Sequence, residues 1–139
     1  MHEWALADAV VSTVSKMAEK EKLSEITEVN IGLGQLQQIE TDIFEFAIRE
    51  NIRTKESLFK NTKIGIKVEK AFMKCRNCGK KWAFGDVVKE LNLQDSEAIH
   101  FVPELAHAYI RCPECKSPDF EIAQGRGVWI DSILGKKVS

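Results

Sequence analysis

Several absences narrow the sequence before any motif is read. No apolar run comes near the roughly 20 residues needed to span a bilayer, so no membrane segment is expected. The start, Met1-His2-Glu3, has neither the basic stretch nor the apolar stretch of a secretory signal. No sign of charge prevails: 20 Lys and Arg meet 21 Asp and Glu, a net charge of −1, so no general pull toward nucleic acid or an anionic membrane is expected. Internal repeats and low-complexity tracts are missing. So are a phosphate-binding loop, a nucleophile triad and a paired general acid and base, which argues against an enzyme. These exclusions leave a cytoplasmic protein of one or two small domains within 139 residues.

What is present falls into two kinds of sequence. From Glu3 to about Lys20, Ala7, Val10, Val11, Val14, Met17 and Ala18 recur at helical spacing. Val29, Ile31 and Leu33 alternate with polar neighbours and predict a strand stopped by Gly34. Thr41 reads as the cap of a second helix running to about Arg53, with Ile43, Phe44, Ala47, Ile48 and Ile52 inward. Ile64, Ile66 and Val68 give a second strand, and Val128 and Ile130 a third, after the turn Gly125-Arg126-Gly127. Between them, residues 72–121 hold all four cysteines and all three prolines. The expected fold class is α+β: two helices on a three-stranded sheet (residues 1–71 and 122–139), interrupted by a metal-stapled insert (72–121). Within the insert, Asp86 is expected to cap a short helix through Leu93.

Cys75-Arg76-Asn77-Cys78 and Cys112-Pro113-Glu114-Cys115 are two matched Cys-x-x-Cys turns. In a reducing compartment such pairs indicate a metal rather than disulfides. Four thiolates fill a tetrahedral site and leave no open position for catalysis, which suits structural zinc. Each pair follows a strand-like run, Phe72-Met73-Lys74 and Tyr109-Ile110-Arg111, giving a zinc-ribbon layout. The zinc is expected to supply folding free energy to an insert poor in apolar residues. The pairs are separated by the long stretch 79–111, which carries His100 and His107; His107 reads as packing or surface.

The chain start offers a different donor set. The α-amine of Met1, the following backbone nitrogen and the imidazole of His2 form two fused chelate rings, and the Glu3 amide or another imidazole can supply a fourth nitrogen. Four nitrogens in a plane suit Ni(II) or Cu(II). The helix that follows holds such a site still, which lowers its ordering cost.

Met1-His2-Glu3-Trp4-Ala5-Leu6-Ala7, the two cysteine pairs and the Gly125-Arg126-Gly127 strand together resemble the HypA/HybF family of hydrogenase-maturation nickel metallochaperones, in its longer, archaeal-type form. The resemblance spans essentially the whole chain. It implies a nickel-binding α/β domain interrupted by a zinc domain, with Met1, His2 and Glu3 as nickel ligands and the four cysteines on structural zinc. It also implies delivery of nickel to the large subunit of [NiFe]-hydrogenase together with a HypB-type GTPase. Gln35 stands where many members carry an acidic residue, and His100 is a candidate additional nickel ligand.

Two other readings remain open on the residues alone. The basic stretch Lys74, Arg76, Lys80 and Lys81 fits a nucleic-acid-binding zinc ribbon, although aromatic interleaving for base stacking is missing. A rubredoxin-like electron carrier would use the same thiolates for iron. Trp4, Trp129 and the acidic residues Glu40, Asp42 and Glu45 are candidates for partner contact, with Trp129 read as a core or lid residue.

Overall fold

The computed structural model describes residues 3–138, apart from the side chain of Pro103. In chain order the elements are α1 (Glu3–Lys20), β1 (Leu23–Gly34), α2 (Thr41–Arg53), β2 (Phe59–Glu69), β3 (Phe72–Cys75), β4 (Lys81–Ala83), α3 (Phe84–Val87), α4 (Leu93–Phe101), α5 (Ala106–Tyr109), β5 (Phe120–Gln124) and β6 (Val128–Lys137). The described residues form a mixed α+β fold with two three-stranded sheets, ordered β2-β1-β6 and β4-β3-β5. The chain divides into two compact units: Met1–Gly32, Ile39–Lys67 and Trp129–Ser139, and Leu33–Gln38 with Val68–Val128.

The first unit is built from α1 packed with α2 and from the sheet β2-β1-β6. Helical periodicity sets the buried faces: Ala7, Val10, Val11, Val14 and Ala18 on α1, and Phe44, Ala47 and Ile48 on α2. Each large apolar side chain so buried contributes roughly 1.5–3 kcal/mol. Ile43, expected inward, lies one helical step off the buried face and is exposed. Thr41 is not the cap of α2: it is the first helical residue, and Glu40 holds the cap position without a side-chain bond of its own. On the sheet, Trp129 of β6 lies over Gly32 of β1, where a Cβ would come within 2.2 Å of the indole. Trp129 is half-buried, a lid over Gly32 as one of the two expected roles has it, and its Nε1–H donates to Asp131 at 2.8 Å.

The second unit has its own core, formed by residues that include Leu36, Met73, Trp82, Phe84, Ile99, Ile110 and Phe120. The insert is therefore not poor in buried apolar groups. Trp82 and Phe120 meet edge to face at 5.3 Å. The boundaries expected from sequence, at 72 and 121, fall inside this unit, because the flanking chain packs with it. Gly125 explains part of that: it sits at φ +88°, and a Cβ there would lie 2.3 Å from the Ala71 Cα. Residues 33–38 also join this unit, through Gly34 N–H to Gly127 O (2.7 Å) and Leu36 N–H to Gly125 O (2.9 Å). Gln35 has a plain role here, its Oε1 accepting the Ala71 N–H at 2.8 Å.

Asp86 does not cap a helix through Leu93. It lies inside the short α3, and the real cap downstream is Asn92, whose side chain accepts the Asp95 N–H at 2.7 Å and starts α4. Tyr109-Ile110-Arg111 is not a strand of the sheet: Tyr109 ends α5, and Ile110 is extended without a ladder partner. Among the described residues no helix is long and apolar enough to cross a membrane.

Candidate metal centres

The two Cys-x-x-Cys turns are built on one backbone plan. In each, the N–H of residue i+4 donates to the carbonyl of the first cysteine: Gly79 to Cys75 at 3.1 Å, and Lys116 to Cys112 at 2.9 Å. In each, the first cysteine's N–H donates five residues on: Cys75 to Lys80 O at 2.8 Å, and Cys112 to Ser117 O at 3.0 Å. The residue at i+4 is left-handed in both, Gly79 at φ 79° and Lys116 at φ 64°. Glycine takes that conformation without strain, whereas lysine does not.

The plan aims four sulfurs at one point. Cys75 and Cys115 Sγ are 3.6 Å apart, Cys78 and Cys112 Sγ 3.5 Å, and all four lie within 4.8 Å of one another. Tetrahedral sulfurs about 2.3 Å from a zinc ion stand about 3.8 Å apart, so the cluster fits that ion. Cys75 and Cys112 are buried, and Cys78 and Cys115 are exposed. Backbone N–H groups already point at sulfur: Asn77 and Cys78 at Cys75 (3.3 and 3.4 Å), and Cys115 at Cys112 (3.5 Å). Asn77 adds its side-chain amide to Cys115 Sγ at 3.5 Å, a role its place inside the first turn could have signalled. That amide, with the Ser117 backbone N–H, draws the Cys115 thiol down to about 6. At Cys78 the Lys80 N–H pulls downward, but desolvation and the three neighbouring thiols outweigh it and push the group up to about 12. Four thiols this close ionise together only around a cation.

Of the expected nickel ligands, Met1 and His2 lie outside the described residues. Glu3 begins α1, is buried, and accepts the Glu40 N–H on Oε2 at 3.1 Å. Burial pushes its carboxyl up, but the N–H groups of Glu40 and of Glu3 itself, together with the positive charge of the chain's amino group, hold it below the usual range. The same bond reaches the cap residue of α2, so Glu3 supplies from a neighbouring helix the acid that a capping box carries at its third position.

His100 lies near the end of α4, buried, with Nδ1 against the Gln37 carbonyl oxygen and its ring edge to face with Phe101 at 5.2 Å. Gln38 fastens the same turn to α4 through Ser96, by Nε2 to Ser96 O (2.9 Å) and Ser96 Oγ to Oε1 (2.7 Å). His107 stacks on Phe120 at 4.3 Å and is not a member of the thiol cluster. Trp4 is 55% exposed and meets Phe46, 57% exposed, at 5.9 Å. Glu45 pairs with Arg49 at 3.3 Å on the exposed side of α2.

Comparison with known proteins agrees with this geometry. The HypA family profile, described as "Hydrogenase/urease nickel incorporation, metallochaperone, hypA", matches residues 1–134. The hydrogenase maturation factor HypA of Pyrococcus horikoshii is 45% identical over 137 residues, covering 99% of this chain and 97% of the relative. Its counterpart in Pyrococcus furiosus is 44% identical over the same span. The fold is similar to the solution structure of the Ni metallochaperone HypA from Helicobacter pylori, with a TM-score of 0.62 at 21% identity, over 99% of this chain and 100% of that one.

Proposed function

The chain belongs to the HypA family, and from that premise we propose that it is a nickel metallochaperone of hydrogenase maturation. It takes up Ni(II) at the chain start. The donors are the α-amine of Met1, the backbone nitrogen that follows it, the His2 imidazole and the Glu3 backbone nitrogen. The observation that carries this reading is the anchoring of Glu3: α1 begins there, and its carboxylate is fastened to Glu40. A donor set that begins two residues upstream and ends on Glu3 itself is thus attached to a fixed point.

His100 is the candidate for a further nitrogen. With the proton on Nδ1 directed at the Gln37 carbonyl, Nε2 carries the lone pair, which is the arrangement metal-binding histidines use. The four cysteines hold a structural zinc, a closed site whose chemistry is to tie the two turns together. Nickel leaves by ligand exchange, one nitrogen releasing as an incoming ligand binds. The recipient is the large subunit of [NiFe]-hydrogenase, and a HypB-type GTPase acts as partner, so any nucleotide hydrolysis belongs to that partner. The protein itself is not an enzyme and works in the cytoplasm.

The test is a Ni(II) titration of the native chain, of His2→Ala and of a form extended before Met1. Both altered forms are expected to lose the planar-nitrogen absorption and most of the affinity. Uptake equal to the native chain in the extended form would contradict the reading.

A further inference from the structure

We propose that the second unit carries a docking slot for an extended acidic segment of a protein partner, running along the free edge of β4. The sheet order β4-β3-β5 leaves one side of β4 unpaired. The bonds from Cys75 N–H to Lys80 O and from Phe84 N–H to Ala71 O bracket the β3–β4 ladder, in which Met73 faces Trp82. Antiparallel ladders alternate, so Met73 and Trp82 form the hydrogen-bonded pair, and the backbone of Lys81 and Ala83 faces away from β3.

A cavity of about 930 Å³ lies against that edge. Its lining comes from Phe72 of β3, from residues 80–83, from the α3 region, and from the segment that leads into the second cysteine turn. Four cations line it: Lys80, Lys81, Arg111 and Lys116. All four are exposed, and among the described residues none of them is in an ion pair. Trp82, in the same wall, is buried, and among the described residues its Nε1–H has no acceptor. Lys81 Nζ lies over the Phe72 ring at 5.1 Å, so the wall has cations outside any ion pair beside a strand edge that β3 does not pair.

That combination fits strand addition, in which the main chain supplies the ladder and side-chain chemistry supplies selectivity. The charge selects the occupant. Asp86 and Glu90 also line the cavity, and they disfavour a polyphosphate or a nucleic-acid backbone with an anion at every step. A peptide with spaced carboxylates pairs with the cations and avoids the two acids. The inference does not depend on the nickel reading, since none of these residues is a proposed nickel or zinc ligand except Cys112, which closes one end of the lining.

The test uses the full, zinc-loaded chain labelled with 15N and a short peptide alternating Glu or Asp with Val. The expected result is saturable movement of the Lys81 and Ala83 amide signals and of the Trp82 indole signal. Binding weakens as salt is added. It weakens at least about tenfold in Lys80→Glu/Arg111→Glu, whose zinc content and Ni(II) uptake stay at the native level. A lysine-for-acid peptide and one N-methylated at alternate amides are expected not to bind. Equal binding by either control peptide, equal binding by tripolyphosphate or a short RNA, or undiminished binding by the double variant overturns the proposal. Should that variant lose zinc, Lys81→Glu, an exposed lining residue outside both cysteine turns, is read in its place against the same two outcomes.

Discussion

The Glu3 carboxylate accepts a hydrogen bond from the Glu40 backbone N–H at 3.1 Å, joining the first residue of α1 to the cap of α2. One side chain thereby does two jobs: it sets a negative charge at two helix starts and satisfies an N–H that the cap residue itself leaves bare. Glu3→Ala is expected to lower the unfolding free energy by about 1–2 kcal/mol in urea denaturation, and Glu3→Gln by less, because an amide oxygen still accepts the bond. The carboxyl is held below its ordinary range, so its contribution is present above that range and is lost as pH falls through the lowered value. The gap between native and Glu3→Gln should therefore close on acidification and stay constant toward neutral pH.

The matched backbone plan of the cysteine turns yields a paired prediction. Gly79→Ala places a Cβ on a left-handed residue and should cost about 1 kcal/mol in the zinc-loaded protein. Lys116→Gly, at the equivalent place in the second turn, should cost nothing or stabilise by up to about 1 kcal/mol. Equal effects of one sign from both would show that the turns are not equivalent.

Metal analysis of the purified chain should find one zinc per chain and a colourless protein. A chelator should open the turns at 75–79 and 112–116 first, as read by hydrogen exchange. Since thiols must ionise to bind, zinc affinity should fall steeply as pH drops below the Cys115 value of about 6. Cys75→Ser and Cys112→Ser should each abolish stoichiometric zinc.

The sequence made the cluster of four cysteines legible and the packing less so. A Cys-x-x-Cys turn is local chemistry, and its spacing alone aims two sulfurs at one point. The buried face of α1 is equally local, fixed by helical periodicity through Val10, Val11 and Val14. The end of β1 at Gly34 is legible, but the partners of residues 35–38, among them Ala71, Ser96, Gly125 and Gly127, lie far along the chain and leave no local pattern. The helix α4 was missed because both Leu93 and Phe101 are exposed, so no apolar stripe marks it, and its cap Asn92 looks like any loop asparagine. Sequence leaves Trp129 as core or lid, because nothing local reveals that Gly32 lies beneath it.

That last pair gives a packing test. Gly32→Ala drives a methyl into the Trp129 indole and should destabilise the protein by about 1–3 kcal/mol. Trp129→Leu, which removes the ring, should recover part of that loss in the double variant. Simple additivity of the two changes would mean that they do not share the contact.

His100 has one nitrogen against the Gln37 carbonyl and its ring on Phe101. His100→Ala should alter the Ni(II) absorption spectrum and weaken nickel binding severalfold, whereas His107→Ala, which loses a stack on Phe120 and a bond to Pro118 O, should leave the spectrum unchanged. Identical spectra for native and His100→Ala would remove His100 from the ligand set.

The most direct measurement is nickel uptake after acetylation of the α-amine, in a chain whose sequence, fold and zinc content are otherwise untouched. Loss of high-affinity Ni(II) binding together with the planar-nitrogen spectrum is the predicted result. Full nickel binding by the acetylated chain would contradict it.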